Sequence, residues 1–211
     1  MTEAEARAWL QATLDVSRET FAQLDTFVAL LRDEATRQNL IATSTLDHIW
    51  QRHIVDSAQL LCLAPPAARS WADLGTGAGF PGLIVAILSA LPVTLIESRR
   101  KRALFLERAA LALGLERQVT ILADRVENLR GQRYDVISAR AFAPLDRLFA
   151  TALPLADARR TRWLLPKGRG VDAELEAARG SWQGSFRVEP SVTDPEAGIL
   201  IAAHVRPGRG M

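Results

Sequence analysis

The chain has almost none of several residue types that carry whole classes of chemistry. One cysteine, Cys62, stands among 211 residues, and no Cys/His cluster has metal-ligand spacing. An internal disulfide is therefore excluded, and an oxidised secreted scaffold or a structural zinc site is disfavoured. Long apolar runs are missing too. The longest, Leu83 to Leu91, stops at Pro92 and is too short to span a bilayer. Met1 to Arg7 alternates acids with alanine in place of the basic-then-apolar order of a signal peptide. These absences predict a cytoplasmic protein with no metal and no membrane partner. Lysine is scarce as well: only Lys101 and Lys167 interrupt an otherwise all-arginine set of 26 cations. A retained lysine hints that a compact ammonium is wanted at that position.

What is present describes a globular chain. Hydrophobic residues make up 48% and charged residues 24%, enough to bury a core in one domain with a small addition. The net charge of +2 hides an uneven distribution. Residues 1–98 carry a net −5, whereas 99–140 carry +5 and 157–169 carry +4. Two basic segments in one half of the chain suggest a face toward a polyanion, which makes nucleic acid a candidate partner.

Periodicity divides the chain near residue 66. Apolar residues at helical spacing mark helices over Ala4–Leu14 and Thr20–Leu31. A third begins with Ser44 or Thr45 as cap, with a stripe of Leu46, Ile49, Trp50, Ile54, Leu60 and Leu61. On that face His53 reads as an interior residue or a functional one, while Arg52 and Asp56 stand at i and i+4 as a helix-surface pair. Pro65-Pro66 then forms a stiff connector, so 1–66 reads as an N-terminal helical extension and 67–211 as the main domain. There, short apolar runs at 70–74, 93–97, 119–123, 134–138 and 162–166 alternate with helical segments at 81–90, 100–113, 144–155 and 171–180. Such alternation predicts an α/β fold with a parallel sheet covered on both faces. Residues 186–189 and 198–205 have only a turn-rich stretch between them, which predicts a C-terminal antiparallel hairpin and a mostly parallel seven-stranded sheet. Trp163 and Trp182 read as packing residues.

The segment Asp73-Leu74-Gly75-Thr76-Gly77-Ala78-Gly79-Phe80-Pro81-Gly82 lies where the first strand yields to the first helix of that domain. Glycines there admit positive φ and close approach of the backbone to a ligand. A dinucleotide fingerprint requires a glycine where Phe80 stands, which disfavours an NAD(P)-dependent oxidoreductase. Asp73, just before the glycines, suits a cationic ligand such as a sulfonium with its free amino group. Glu97 ends the second strand, where a carboxylate can accept both ribose hydroxyls of NAD or of S-adenosylmethionine. The spacing favours S-adenosylmethionine.

With Arg125-Val126-Glu127, Ser138-Ala139-Arg140-Ala141-Phe142 and Pro166-Lys167-Gly168, this loop resembles that of the bacterial ribosomal RNA small subunit methyltransferase G family, over about Asn39 to Lys167. The resemblance implies a Rossmann-like S-adenosylmethionine-dependent methyltransferase fold. It further implies methylation of guanine N7 in the 530 loop of 16S rRNA, with 16S rRNA or the small ribosomal subunit as partner. The oligomeric state is open from the residues, with a monomer the favoured form. Carried over by position, Gly75, Gly77 and Phe80 match cofactor-loop contacts. Val126 and Glu127 match the segment beside the adenine, and Arg140 an arginine on the site wall. Asn39, and His53 with Asp56, match the family's amino-terminal N-L-T and H-x-x-D-S elements, although Asn39-Leu40-Ile41 lacks the threonine and the usual upstream tryptophan is absent.

Guanine N7 carries an in-plane lone pair and is unprotonated at neutral pH, so its methylation needs alignment and a suitable field instead of a general base. Arg140 and Lys167, at the ends of the fourth and fifth strands, are candidates to reach O6 or a phosphate while leaving N7 free. Phe142 reads either as a stacking partner for an extruded base or as a packing residue. Arg99-Arg100-Lys101-Arg102 reads as a grip on RNA backbone. A small-molecule methyltransferase and a non-catalytic RNA-binding module remain as alternatives from the residues alone.

Overall fold

The computed structural model describes residues 1–208. Thr2 and Glu5 open α1 (Glu3–Leu14) with a reciprocal capping box: the Thr2 hydroxyl accepts from the Glu5 amide, and the Glu5 carboxylate accepts from the Thr2 amide. Ser17 caps α2 (Arg18–Ala35), which outruns its apolar spacing at both ends and buries Leu24, Phe27, Val28 and Leu31. Both helices answer the periodicity.

The third does not form as one regular helix. Residues 43–63 wind successively as a 3-10 turn (Thr43–His48), a π-helical turn (Trp50–Val55), the short α3 (Asp56–Ala58) and a second 3-10 turn (Gln59–Leu63). No side chain caps its start, and the Thr45 hydroxyl donates instead to the Ala42 carbonyl. Ile49, Trp50, Ile54 and Leu60 still point inward. The wider π turn shifts the faces so that Arg52 and Asp56 no longer pair with each other. Arg52 reaches Asp194 at 2.9 Å, and Asp56 turns toward Arg140.

The main domain alternates as expected: β1 (Trp71–Leu74), α4 (Gly82–Leu88), β2 (Val93–Ile96), α5 (Arg100–Ala112), β3 (Val119–Leu122), β4 (Val136–Ala139), α6 (Leu145–Ala152), β5 (Arg162–Lys167), α7 (Val171–Arg179), β6 (Trp182–Pro190) and β7 (Gly198–Pro207). The sheet order is β3-β2-β1-β4-β5-β7-β6, with β7 antiparallel to both neighbours and the first five strands parallel. Beta4 starts two residues later than its apolar run, and β6 is longer than its run, with a bulge between Gln183 and Ser185. One face of the sheet packs against α4 and α5, and the N-terminal helices join the same apolar cluster through Leu10, Phe27, Leu31 and Ile54. The other face packs α6 and α7 around Phe149, Trp163 and Trp182, and the Trp182 indole donates to Asp146. Among the described residues, no helix is long and apolar enough to cross a membrane.

Asp73 departs from its expected role beside a cationic ligand. Its carboxylate is completely buried, accepting from the Ser138 hydroxyl at 2.7 Å and from the Gly82 amide at 2.9 Å. The Trp71 indole, which can only donate, supplies a hydrogen to Ser138 Oγ and so orients that hydroxyl toward Asp73. Gly82 is required by proximity, since a β-carbon there would lie 2.4 Å from Leu95 Cδ2 and 2.7 Å from Asp73 Cβ. The strand end, its neighbour β4 and the first turn of α4 are thus tied to one inward-facing anion, favourably placed at a helix N-terminus.

Asp73→Ala leaves the Ser138 and Gly82 donors without an acceptor and should cost about 2–5 kcal/mol in urea unfolding at pH 7. Burial pushes the Asp73 carboxyl up from 3.8 to about 6. The folded state therefore holds this proton to higher pH than the unfolded chain. Relative to Asp73→Asn, which cannot titrate, the wild type should lose stability as pH rises from 3.8 to about 6. A flat or rising difference would refute this burial.

Candidate active site

The strand order reverses direction at β1, between β2 and β4, and ligands of open α/β sheets bind outside the carboxyl ends at such a point. Two cavities, each of about 350 Å³, lie along that edge. The chain from Arg140 to Ala143 contributes to both: Arg140 and Ala141 line one, and Phe142 and Ala143 line the other. Ala141 bends this divider with a left-handed backbone, φ 50°, uncommon outside glycine and worth notice.

The first cavity is bounded by Gly75, Ile96, Ser98, Val126, Glu127 and Phe142, among others. Gly75 has φ +63°, and a β-carbon on it would fall 2.7 Å from Phe142 Cδ2. Gly77, at φ +60°, donates its amide to Glu97 at 3.0 Å, and the other Glu97 oxygen accepts from the Arg99 amide at 2.7 Å. Glu97 is itself buried and fastens the glycine turn to the start of α5, beside the cavity wall. Val126 is buried and Glu127 exposed at the rim. Asp124, which the sequence reading missed, also lines this cavity. Hydrogen bonds from Asn128 and from the Arg125 amide hold its carboxyl below the usual range. Its position just after β3 was the available signal.

The second cavity gathers Arg140, His53 and Lys167 with Thr45, Thr193 and Gly198. The Arg140 guanidinium donates to His53 Nδ1 at 3.0 Å, to Asp56 Oδ2 at 3.3 Å and to the Arg52 carbonyl at 3.2 Å. Because arginine only donates, His53 Nδ1 must accept. The imidazole is thus neutral, with its hydrogen on Nε2, directed to Thr45 Oγ1 at 2.9 Å. Burial lowers the His53 pKa to about 3, assisted by the charges of Arg140 and Arg52. The Lys167 ammonium donates to Glu174 at 2.8 Å and to the Ala143 carbonyl at 3.3 Å.

Three residues sit elsewhere than expected. The Phe80 side chain does not face the first cavity: it is buried behind the turn, stacked on His53 at 4.8 Å, edge-on to Phe27 at 5.5 Å and 5.2 Å from the Arg140 guanidinium carbon. A large apolar ring following a tight turn gains more from that core than from a polar edge. Asn39 is exposed and apart from Arg140 and Lys167; its carbonyl accepts from Arg102 at 2.8 Å. Phe142 lies against Gly75 in the first cavity. Cys62 is exposed and lines neither cavity.

The cations divide into two groups. Around the second cavity Arg52, Arg140, Lys167 and Arg169 each face a carboxylate. Arg99, Arg100, Lys101, Arg125 and Arg147 take part in no ion pair among the described residues. Among those residues no group of three metal-ligating side chains forms either.

Comparison with known proteins places this geometry in context. Residues 20–197 match the family model described as rRNA small subunit methyltransferase G. The chain is 54% identical to the ribosomal RNA small subunit methyltransferase G of Zymomonas mobilis, covering 98% of this chain and 96% of the relative. It is 55% identical to the protein of that name from Rhizorhabdus wittichii, covering 100% and 97%. Among solved structures, cofactor-bound Rv0187 from MTB superposes with a TM-score of 0.62 at 16% identity, covering 97% of this chain and 98% of that one. The O-methyltransferase from Bacillus cereus in complex with SAH gives 0.58 at 17% identity, covering 93% and 96%. At these identities the structures share the fold.

Imidazole nitrogen NMR should find His53 as the Nε2–H tautomer. Its pKa in the folded protein lies at about 3, against 6.5 for a free imidazole. Relative to His53→Gln, the wild type should therefore lose stability as pH falls from 6.5 toward about 3, because the unfolded chain takes up the proton first. An imidazole that titrates near 6.5 in the folded protein contradicts the assignment.

Proposed function

The chain belongs to the rRNA small subunit methyltransferase G family, and on that premise we propose that it transfers a methyl group from S-adenosylmethionine to N7 of a guanine in the 530 loop of 16S rRNA, in the cytoplasm. The observation that carries this reading is the pair of cavities meeting at residues 140–143, one beside a glycine turn and the other ringed by paired cations around a neutral histidine.

The first cavity suits the methyl donor. Gly75 offers a side-chain-free surface, Ile96 and Val126 provide apolar walls for an adenine, and Glu127 stands at the rim, while Gly77 holds the turn through its bond to Glu97. Glu97 uses one bond per oxygen on the loop and retains lone pairs for ribose hydroxyls. When bound, S-adenosylmethionine supplies a methyl group on a cationic sulfur. The chain's task is then to bring the base edge to it and keep N7 unencumbered. Arg140 presents N–H donors to O6 from the second cavity. Lys167 uses two of its three donors internally and has one left for O6 or a phosphate. No proton need be removed before methyl transfer, which agrees with a site whose histidine is neutral and already engaged at both nitrogens.

The alternative of a small-molecule substrate is disfavoured by the unpaired cations flanking the first cavity and leading α5, which suit RNA phosphates. Asn39 lies beside Arg102, whose guanidinium also approaches Gly77 of the glycine turn.

Mapping by N7-specific cleavage of 16S rRNA from a strain lacking the protein, before and after treatment with enzyme and S-adenosylmethionine, should reveal one new modified guanine in the 530 loop. Calorimetry should detect S-adenosylmethionine and not NADH, and Gly75→Val should abolish that binding. Replacing Arg99, Arg100 and Lys101 by alanine should reduce the slope of log affinity for rRNA against log salt by about one to three. An unchanged slope would remove α5 from the RNA interface.

A further inference from the structure

The stretch Ser191-Val192-Thr193-Asp194 between β6 and β7 carries no sequence signal beyond its turn residues, yet it is stitched to the irregular helical segment near the site. Gln51 donates to the Thr193 carbonyl, Gln59 accepts from the Val192 amide and donates to Ser191 Oγ, and Arg52 pairs with Asp194. Thr193 is buried and gives its hydroxyl hydrogen to Asp56 Oδ1 at 3.0 Å, where Gln59 also donates at 3.1 Å. Asp56 Oδ1 is thereby satisfied from the loop side, and Oδ2 faces Arg140.

Arg140 is gripped from the opposite side as well. Its guanidinium lies over Phe80, on which His53 is stacked, and His53 is fixed by Thr45. Of the five N–H groups of a guanidinium, three are used by the Arg52 carbonyl, Asp56 and His53. Two remain, on a side chain that lines the second cavity. An exposed arginine explores many rotamers. This one is held in a single orientation by a carboxylate, an imidazole, a carbonyl and a ring.

We infer that Asp56 and His53 are positioning residues for methyl transfer, acting through Arg140: they take two of its hydrogen-bond donors and the Arg52 carbonyl a third, so that the remaining two present one fixed edge to the target base. The inference rests on the functional reading above for its substrate, but the clamp itself does not. His53 and Asp56, at i and i+3 of this helical segment, share one face and both meet Arg140.

The test uses the full-length protein with 16S rRNA or small subunits and S-adenosylmethionine. Asp56→Asn keeps an oxygen for Thr193 and Gln59 but turns an amide toward Arg140. His53→Phe keeps the stack on Phe80 but removes the acceptor. Each should lower kcat about ten- to a hundredfold while KM for rRNA and the Kd of S-adenosylmethionine change less than about twofold. His53→Gln, which restores an acceptor, should recover part of the loss. Independently of activity, the Arg140 guanidinium nitrogens should show slow rotation by NMR in the wild type and averaged signals in Asp56→Asn and His53→Phe. Averaged signals in the wild type, or kcat unchanged in both variants, would overturn the inference. Slow rotation in a wild type that methylates no rRNA would overturn the functional reading and leave the clamp standing.

Discussion

The structure depends first on one buried carboxylate. Asp73 sits in the middle of the sheet's carboxyl edge, and the donors around it come from β4 and from the first turn of α4. The direction of every hydrogen in the chain Trp71–Ser138–Asp73 is dictated by the indole, which has no acceptor. The glycine turn begins two residues after this anion and ends at Gly82, whose amide returns to it. The turn is therefore closed on itself around a fully buried charge, and Glu97 secures its outer side in the same manner. Two acids that invite interpretation as ligand contacts serve first to hold the backbone that makes the contacts.

From that fixed turn the rest of the site follows by adjacency. Beta4 is the neighbour of β1, so the residues after it divide the edge, and β5 and β7 bring Lys167 and Gly198 to the far wall. The cavity beside the glycine turn combines a bare glycine and apolar walls with a rim of Asp124, Arg125, Glu127 and Arg147. The acceptor side is made from charges that neutralise one another in pairs, which leaves directional N–H groups without an excess of local charge. Such separation suits a reaction in which a cationic sulfur meets a neutral nitrogen lone pair, because the field needs to orient the base more than to change its protonation.

Much of this was legible in the residues. Short apolar runs separated by helical spacing located the first five strands, most plainly β1 and β4, which are buried along their whole length and have few other ways to be written. The absence of a helical pattern between 189 and 198 correctly marked the hairpin. What was not legible depended on tertiary context. Asp73 and Phe80 bracket a turn whose Gly75 lines a cavity, and sequence position alone cannot distinguish a side chain that points out from one that points in. The π turn leaves the apolar stripe intact while altering which polar residues meet, so Arg52 and Asp56 looked like a local pair. Thr193 carries no motif and acquires its place only because the hairpin loop folds back over residues 51–59. Asn39 stands apart from Arg140 because the turn after α2 delivers it to Arg102, on the α5 side of the glycine turn.

The contact of Phe27 with Phe80 has a bearing on how the molecule holds together. A ring from the second helix rests against a ring at the end of the glycine turn, which in turn supports the histidine beneath Arg140. The leading helices and the sheet consequently have no separate interiors. Loss of the first sixty residues would strip one wall from the nucleotide-facing half, so the chain should melt in a single cooperative step, and a shortened sheet-only version could not serve as a minimal catalyst.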